Sequence, residues 1–230
     1  MAQRYYLHAF QLAKEADPRA HAGYVLRILA HQAFDTGHVA VAACVPLAEA
    51  ARDRMAGHVD RETEALVHLT VARAHAARRD RRPAAQALRQ AEKLMDQARK
   101  DETPHWAFLG GPAEARLANQ TGKALMALGD LAAAERAFAQ SVRCWNPLTH
   151  PRIHALTAAD VGVAQCRQGR VEEACQTWND ALDQMTGIAS ARTRAAVADV
   201  RSHLAVFRQR GVHAAAALDA RAAARQAAHA

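Results

Sequence analysis

Residues 122–142 read GKALMALGDLAAAERAFAQSV, and residues 162–182 read GVAQCRQGRVEEACQTWNDAL. Both stretches place small residues and one aromatic residue at the same spacing, which gives the sets Gly122, Gly129, Ala134, Phe138, Ser141 and Gly162, Gly169, Ala174, Trp178, Ala181. Small residues let two helices pack closely, and the second Gly of each set can end a helix because it tolerates the left-handed conformation. The pattern therefore predicts two antiparallel helix hairpins.

Two weaker copies of the pattern lie nearer the N-terminus. Their corresponding positions are Ala30, Gly37 and Ala42 in one copy, and Ala72, Arg79, Ala84, Leu88 and Ala91 in the other. The turn positions of the four copies are separated by 42, 50 and 40 residues. The pattern resembles the tetratricopeptide repeat, whose standard unit has about 34 residues, so we expect longer helices or connections than usual.

The amino-acid composition favours helices throughout the chain. Alanine contributes 59 of the 230 residues, aromatic residues make up 5%, and Gly and Pro together number only 18. Alanine has the highest helix propensity because its side chain loses no rotamer entropy in a helix. Together with the repeats, this composition predicts an all-α fold, a tetratricopeptide-like right-handed superhelix of antiparallel helix hairpins.

The C-terminal end divides into a predicted capping helix and a tail. Residues 191–210 carry one apolar face, formed by Val197, Val200, Leu204 and Phe207. Such a face is suited to capping a stack of repeats, so residues 1–210 are predicted to form one repeat domain. Residues 211–230 are rich in Ala and Arg but hold few large apolar side chains. We expect a frayed helix or a disordered tail there, whose removal scarcely changes stability.

The net charge is +7, but the positive excess is concentrated at the C-terminal end. Residues 190–230 hold seven Arg and two Asp, a local charge of +5, so the remaining residues carry only +2. This distribution disfavours nucleic-acid binding by the chain itself, since charged tails are commonly just solvated. The four cysteines have no metal-binding or redox spacing, and neither a signal segment nor an apolar run of about 18 residues is present. We expect a cytoplasmic protein with reduced thiols and no membrane contact.

Four stretches together resemble a known family of regulators. They read AQRYYLHAFQLAKEA, ILAHQAFDTGH, GRVEEACQTWNDAL and SARTRAAVADVRSHLAVFR. They are similar to the C-terminal tetratricopeptide half of xenobiotic-response-element-type helix-turn-helix transcriptional regulators of high-GC bacteria. The resemblance covers nearly all of residues 2–210 and implies a role in sensing or dimerisation. In that family a DNA-reading domain precedes the repeats, so the resemblance implies DNA binding only through a separate or missing helix-turn-helix segment.

The sequence contains no catalytic, cofactor-binding or metal-binding pattern. His150 and His154 are four residues apart, but Pro151 lies between them and no carboxylate or Cys stands beside them at ligand spacing. A capping or solvent-exposed role is therefore favoured for both. Nucleophile-elbow, phosphate-loop and dinucleotide-binding motifs are also missing from the sequence. We expect no catalytic residues, no cofactor and no metal, and the chain is not predicted to be an enzyme.

The most specific functional prediction concerns the concave face of the predicted superhelix. The first helix of each hairpin lines that face, and the turn positions identify which side of each first helix is exposed there. The predicted partner-binding residues, called here the basic stripe, are Tyr24, Arg27, His31, Phe34, Arg73, Arg116, Asn119 and Lys123. Arg and Lys beside an Asn can clamp a carboxylate or a phosphate. The alternative interpretation is that these are ordinary solvated helix positions.

Two interpretations of function stay open at this point. In the first, the protein is a non-enzymatic regulatory or sensor module that binds a protein, a peptide or an acidic ligand, including a phosphorylated segment. In the second, it is a free-standing tetratricopeptide scaffold or oligomerisation protein, such as a homodimer, with no small ligand. Under the first interpretation, reversing Arg116 or Lys123 to Glu should weaken binding and leave the fold intact. Binding should also weaken as the salt concentration rises.

Overall fold

The computed structural model describes residues 2–36, 41–99, 104, 106–107 and 111–227. Across these residues the chain forms eleven α-helices and no strand, which confirms the predicted all-helical class for the described part. The helices are α1 (Ala2–Ala16), α2 (Ala20–Thr36), α3 (Val41–Met55), α4 (Arg61–Ala77), α5 (Arg81–Asp96), α6 (Ala113–Leu128), α7 (Leu131–Cys144), α8 (Pro151–Arg167), α9 (Val171–Gln184), α10 (Ala191–Gln209) and α11 (His213–Ala227). None of the described helices is both long and apolar enough to cross a bilayer.

The chain divides into two compact units, Met1–Gly129 and Asp130–Ala230. Unit 1 contains α1 to α6, and unit 2 contains α7 to α11. The sequence predicted one repeat domain that ends at residue 210. That position falls inside unit 2, between α10 and α11, so it is not a boundary between the units.

Helix α4 is the central element of unit 1. It packs against α2, α3, α5 and α6, while α2 also packs against α1 and α3. Leu66, Leu69 and Val71 of α4 are almost completely buried, and small residues such as Ala48 and Ala84 complete the core around them. Consecutive helices therefore pack in pairs, and α4 presents different faces to different neighbours.

In unit 2 the aromatic position of the repeat pattern lies in the core. Trp178 of α9 is fully buried, and its indole nitrogen donates a hydrogen bond to the carbonyl of Ala159 in α8 at 3.0 Å. Gly162 leaves the space that the indole ring occupies, because a Cβ atom there would lie 2.5 Å from Trp178 Nε1. Ala174 and Phe138 are also buried. These positions of the sequence pattern thus form the interior of the unit.

The predicted turn glycines adopt the expected conformation where the structure describes them. Gly129 and Gly169 follow α6 and α8 with φ angles of 82° and 84°, in the left-handed region that glycine tolerates without strain. Arg79 occupies the turn between α4 and α5 with a φ of 63°, and it is the one non-glycine residue with a positive φ in the described part of the chain. The turn predicted at Gly37 and the side chain of Ala42 lie outside the described residues.

The C-terminal tail departs from the prediction, because residues 213–227 form helix α11, which packs against α9 and α10. Asp219 of α11 is only 6% exposed and forms ion pairs with Arg201 and Arg208 of α10. Hydrogen bonding from Arg201 lowers the pKa of Asp219, partial desolvation opposes that shift, and Arg208 lowers the pKa further. The helix also buries three apolar side chains, two of them alanines, namely Ala215, Leu218 and Ala222. Composition underestimated this docking because alanine suffices where helices approach closely.

Candidate functional site

Part of the basic stripe comes together in unit 1, because α4 packs against both α2 and α6. The residues that meet there are Tyr24, Arg27 and His31 of α2, Arg73 of α4 and Arg116 of α6. We call Tyr24, Arg27, Arg73 and Arg116 the Arg27 site. Glu62, Thr70 and Gln120 contact this group and were not predicted.

Arg27 is the most deeply buried charged residue of the Arg27 site. It is 8% exposed, its Nε atom donates a hydrogen bond to the Leu66 carbonyl at 3.3 Å, and its guanidinium lies 5.5 Å from the centre of the Tyr24 ring. Burial lowers the pKa of the Arg27 guanidinium, Tyr24 acts in the opposite direction, and the positive charges of Arg116 and Arg73 lower it further. Among the described residues no carboxylate contacts Arg27. Within the described residues, this buried positive charge is therefore stabilised by a carbonyl and an aromatic ring rather than by a carboxylate.

A directed chain of hydrogen bonds positions Arg73 beside Arg27. Arg73 Nη1 lies 3.1 Å from His31 Nδ1, and His31 Nε2 lies 2.9 Å from Thr70 Oγ1. Because a guanidinium can only donate, Nδ1 of His31 accepts and its Nε2 carries the proton. The Thr70 hydroxyl then donates to the Leu66 carbonyl at 3.0 Å, the same oxygen that accepts from Arg27. His31 is thus a neutral linker in one tautomer.

Arg116 is held by an acid that the sequence analysis did not include. Its Nη2 atom forms an ion pair with Glu62, and the two side chains are only 10% and 14% exposed. Its Nη1 atom donates to the Gly111 carbonyl at 2.8 Å. Glu62 lies in the first turn of α4, four residues before Leu66 and eleven before Arg73. This helical spacing places Glu62 on the same face of α4 as Arg73. The spacing alone could have identified Glu62 from the sequence.

Aromatic side chains surround the Tyr24 side of the Arg27 site. The ring of Tyr24 meets Trp106 edge to face, with ring centres 5.5 Å apart, and Trp106 meets His21 in the same way at 4.6 Å. Burial raises the pKa of Tyr24, so its hydroxyl keeps its proton at neutral pH. The tyrosine can therefore offer a hydrogen-bond donor next to the arginines.

The structure corrects the prediction that the basic stripe is an exposed surface. Tyr24 and Arg27 are buried, while Arg73 and Arg116 are half-buried and hydrogen-bonded. The exposure of a helix face depends on what packs over it, and here α4 and Trp106 cover part of the face of α2. Asn119 and Lys123 are half-buried, and Asn119 accepts a hydrogen bond from Gln120. The side chain of Phe34 is outside the described residues.

The other polar features identified in the sequence do not form a chemical site. His150 precedes α8 and packs near Trp145, and His154 Nδ1 lies 2.6 Å from Gln184 Oε1. Where the structure describes the chain, it brings together no group of three or more His, Cys, Asp or Glu side chains that could hold a metal ion. Burial raises the pKa of the Cys44 thiol, which leaves that group a poor nucleophile.

Comparison with known proteins returned no match: neither a protein-family model nor a curated protein is similar to the sequence. The function of the Arg27 site therefore has to be inferred from its charges, hydrogen bonds and burial. A partly desolvated set of arginines with a tyrosine hydroxyl is complementary to an anion, and a planar guanidinium can bind a carboxylate or a phosphate through two hydrogen bonds.

Proposed function

We propose that this protein is a non-enzymatic binding module whose Arg27 site recognises an anionic group of a protein or peptide partner. One observation carries the proposal: the Arg27 guanidinium is 8% exposed, lies near two further arginines and contacts no carboxylate of the described residues. Removing an unpaired charge from water is costly, and a ligand carboxylate or phosphate would offset that cost with charge-assisted hydrogen bonds.

The repeat character of the helices and a regulatory context belong to the same proposal. Paired helices, left-handed glycines at Gly129 and Gly169, and buried Ala174 and Trp178 support tetratricopeptide-like hairpins. The resemblance to helix-turn-helix regulators supports a cytoplasmic sensor that belongs to, or acts with, a transcriptional regulator. DNA would then be bound by a separate segment or chain, while this module would respond to its ligand.

A scaffold or oligomerisation protein is the second candidate, and one observation favours it. Helix α1 leaves Tyr5, Leu7 and Leu12 exposed by 72%, 50% and 53%, although the same helix packs against α2. Exposed apolar side chains of this size are suited to contact with another protein. This candidate needs no ligand at Arg27, so the experiment on the Arg27 site separates the two functions.

The proposal is tested by comparing Arg27→Met with Arg82→Met. Arg82 is exposed at the start of α5, so its replacement removes the same charge from unit 1 without touching the Arg27 site. The melting temperature of each protein is measured at low ionic strength while inorganic phosphate or a blocked Asp-Asp dipeptide is added. A ligand at about one hundred times its Kd stabilises the folded state by about 2.7 kcal/mol, which is readily detected.

We expect at least one of the two anions to raise the melting temperature of the unaltered protein and of Arg82→Met, but not of Arg27→Met. Added sodium chloride should reduce the effect, because screening weakens the attraction. An equal response of Arg27→Met, or no response of the unaltered protein to either anion, would contradict the proposal. Met replaces the arginine stem with an apolar group of similar length, so this variant should fold with unchanged or greater stability if Arg27 serves binding rather than folding.

A further inference from the structure

A second cleft lies on the opposite side of α4 from the Arg27 site. It has a volume of about 400 Å³ and lies between α3, α4 and α5. We call it the α5 groove and define it by its polar lining residues, Glu49, Arg52, His68, His75, Gln86 and Gln90. At about 100° per residue, His68 and His75 lie on the face of α4 opposite to Leu66 and Arg73. The two sites are therefore separate.

The charged residues of the α5 groove already have partners. Glu49 lies 3.6 Å from His75 Nε2, and Asp80 lies 3.4 Å from the other ring nitrogen of the same histidine. Arg52 forms an ion pair with Asp53 at 2.8 Å. A strongly charged ligand would have to compete with these contacts, so the groove is better matched to an uncharged one.

The α5 groove also contains uncharged side chains that can form hydrogen bonds with a ligand. The side chains of Gln86, Gln90 and His68 make no hydrogen bond within the described part of the chain; Gln86 is exposed, and His68 and Gln90 are half-buried. Burial lowers the pKa of His68, so the ring is neutral and can accept as well as donate. Val71 and Ala87 supply an apolar floor between these polar groups.

The dimensions of the α5 groove match an extended peptide. Its lining residues run from His68 to His75 on α4 and from Pro83 to Gln90 on α5, seven steps of about 1.5 Å, or about 10 Å along each helix. Three extended residues span about the same length. Gln86 and Gln90 are four residues apart, a rise of about 6 Å, which is close to the repeat of about 6.6 Å between every second residue of a strand.

We propose that the α5 groove binds an uncharged, extended peptide segment of about three residues through main-chain hydrogen bonds to Gln86 and Gln90. Each glutamine amide can donate to a carbonyl and accept from an amide of the segment, which matches residues k and k+2. His68 supplies a further neutral partner beside Gln90. This site differs from the Arg27 site in the ligand that it binds, because it recognises main-chain amides rather than an anion.

The test follows the side-chain amide signals of Gln86 and Gln90 in ¹H–¹⁵N NMR spectra of the full chain. The probe is N-acetyl-trialanine amide, and its N-methylated counterpart is the matched control because it lacks main-chain donors. The double variant Gln86→Met/Gln90→Met removes the two side-chain amides, and Gln97→Met is the control at an exposed position of the same region. Arg27→Met is included to show that the Arg27 site has no part in this binding.

We expect the probe to shift both amide signals in a saturable way, in the unaltered protein, in Gln97→Met and in Arg27→Met. Affinity, followed by backbone signals of α4 and α5, should fall by about tenfold for each hydrogen bond lost in the double variant. The N-methylated probe should bind more weakly than the first probe, because it keeps its carbonyls but can no longer donate to the glutamine oxygens. Absence of saturable shifts with the first probe, or equal binding by the methylated probe or the double variant, would overturn the proposal.

Discussion

Replacing Gly162 with Ala tests the packing on which unit 2 depends. A Cβ atom at this position would lie 2.5 Å from Nε1, 2.6 Å from Cδ1 and 2.9 Å from Cε2 of Trp178. Carbon contacts are favourable only near 3.5–4.0 Å, so the indole ring would have to move by about 1 Å. Trp178 is fully buried and hydrogen-bonded to Ala159, which leaves it little room to do so.

The expected loss of stability combines three effects. Overpacking typically costs about 1–3 kcal/mol, and straining the hydrogen bond from Trp178 to Ala159 costs about 1 kcal/mol more. The gain in helix propensity from Gly to Ala offsets about 1 kcal/mol. We therefore expect Gly162→Ala to lower the free energy of unfolding by about 1–3 kcal/mol, measured by urea titration followed by circular dichroism.

The matched control is the same substitution in a Trp178→Leu background. Leu does not reach the position of the indole ring, so Gly162→Ala should there be neutral or stabilising by up to about 1 kcal/mol through helix propensity alone. The two backgrounds thus differ in the sign of the effect. An unchanged or higher stability of Gly162→Ala in the presence of Trp178 would refute the packing argument.

Four further predictions concern the turn at Arg79, the C-terminal helix and the Arg27 site. Arg79→Gly should raise the free energy of unfolding by about 1 kcal/mol in a urea titration, because a left-handed φ of 63° strains any residue with a Cβ atom; lower stability would contradict this reason. Deleting residues 212–230 should lower the melting temperature, contrary to the expectation from composition. The pKa of Asp219 is lowered by its ion pairs, so these pairs are complete above the ordinary pKa of an aspartate and are lost as the pH falls towards the lowered pKa. Docking of α11 should therefore weaken over that pH range, which hydrogen exchange in α11 measures. Asp219→Asn should show little pH dependence. The sequence predicted that Arg116→Glu leaves the fold intact, but the buried pair with Glu62 reverses this expectation. Arg116→Glu should destabilise unit 1 by several kcal/mol in a urea titration, since it places a second buried carboxylate beside Glu62; an intact stability would show that this ion pair is unimportant.

The spacing of residues along the sequence predicted the helices and turns better than it predicted which side chains other helices would bury. The spacing of Gly169, Ala174 and Trp178 predicted a turn and two buried positions, because these depend on backbone conformation and on one neighbouring helix. The burial of Arg27 could not be predicted, because it results from packing by α4, which is distant in sequence. Asp219 was missed for the same reason, since the arginines that pair with it lie on another helix.

The arrangement of α4 between two candidate sites has a thermodynamic consequence. One face of this helix supplies the Leu66 carbonyl that holds Arg27, and the other supplies His68 to the α5 groove. A helix moves as a nearly rigid rod, so a ligand that shifts α4 on one side changes the spacing of the groups on the other. By linkage, any such effect is reciprocal: if a peptide in the groove alters anion affinity by some factor, the anion alters peptide affinity by the same factor.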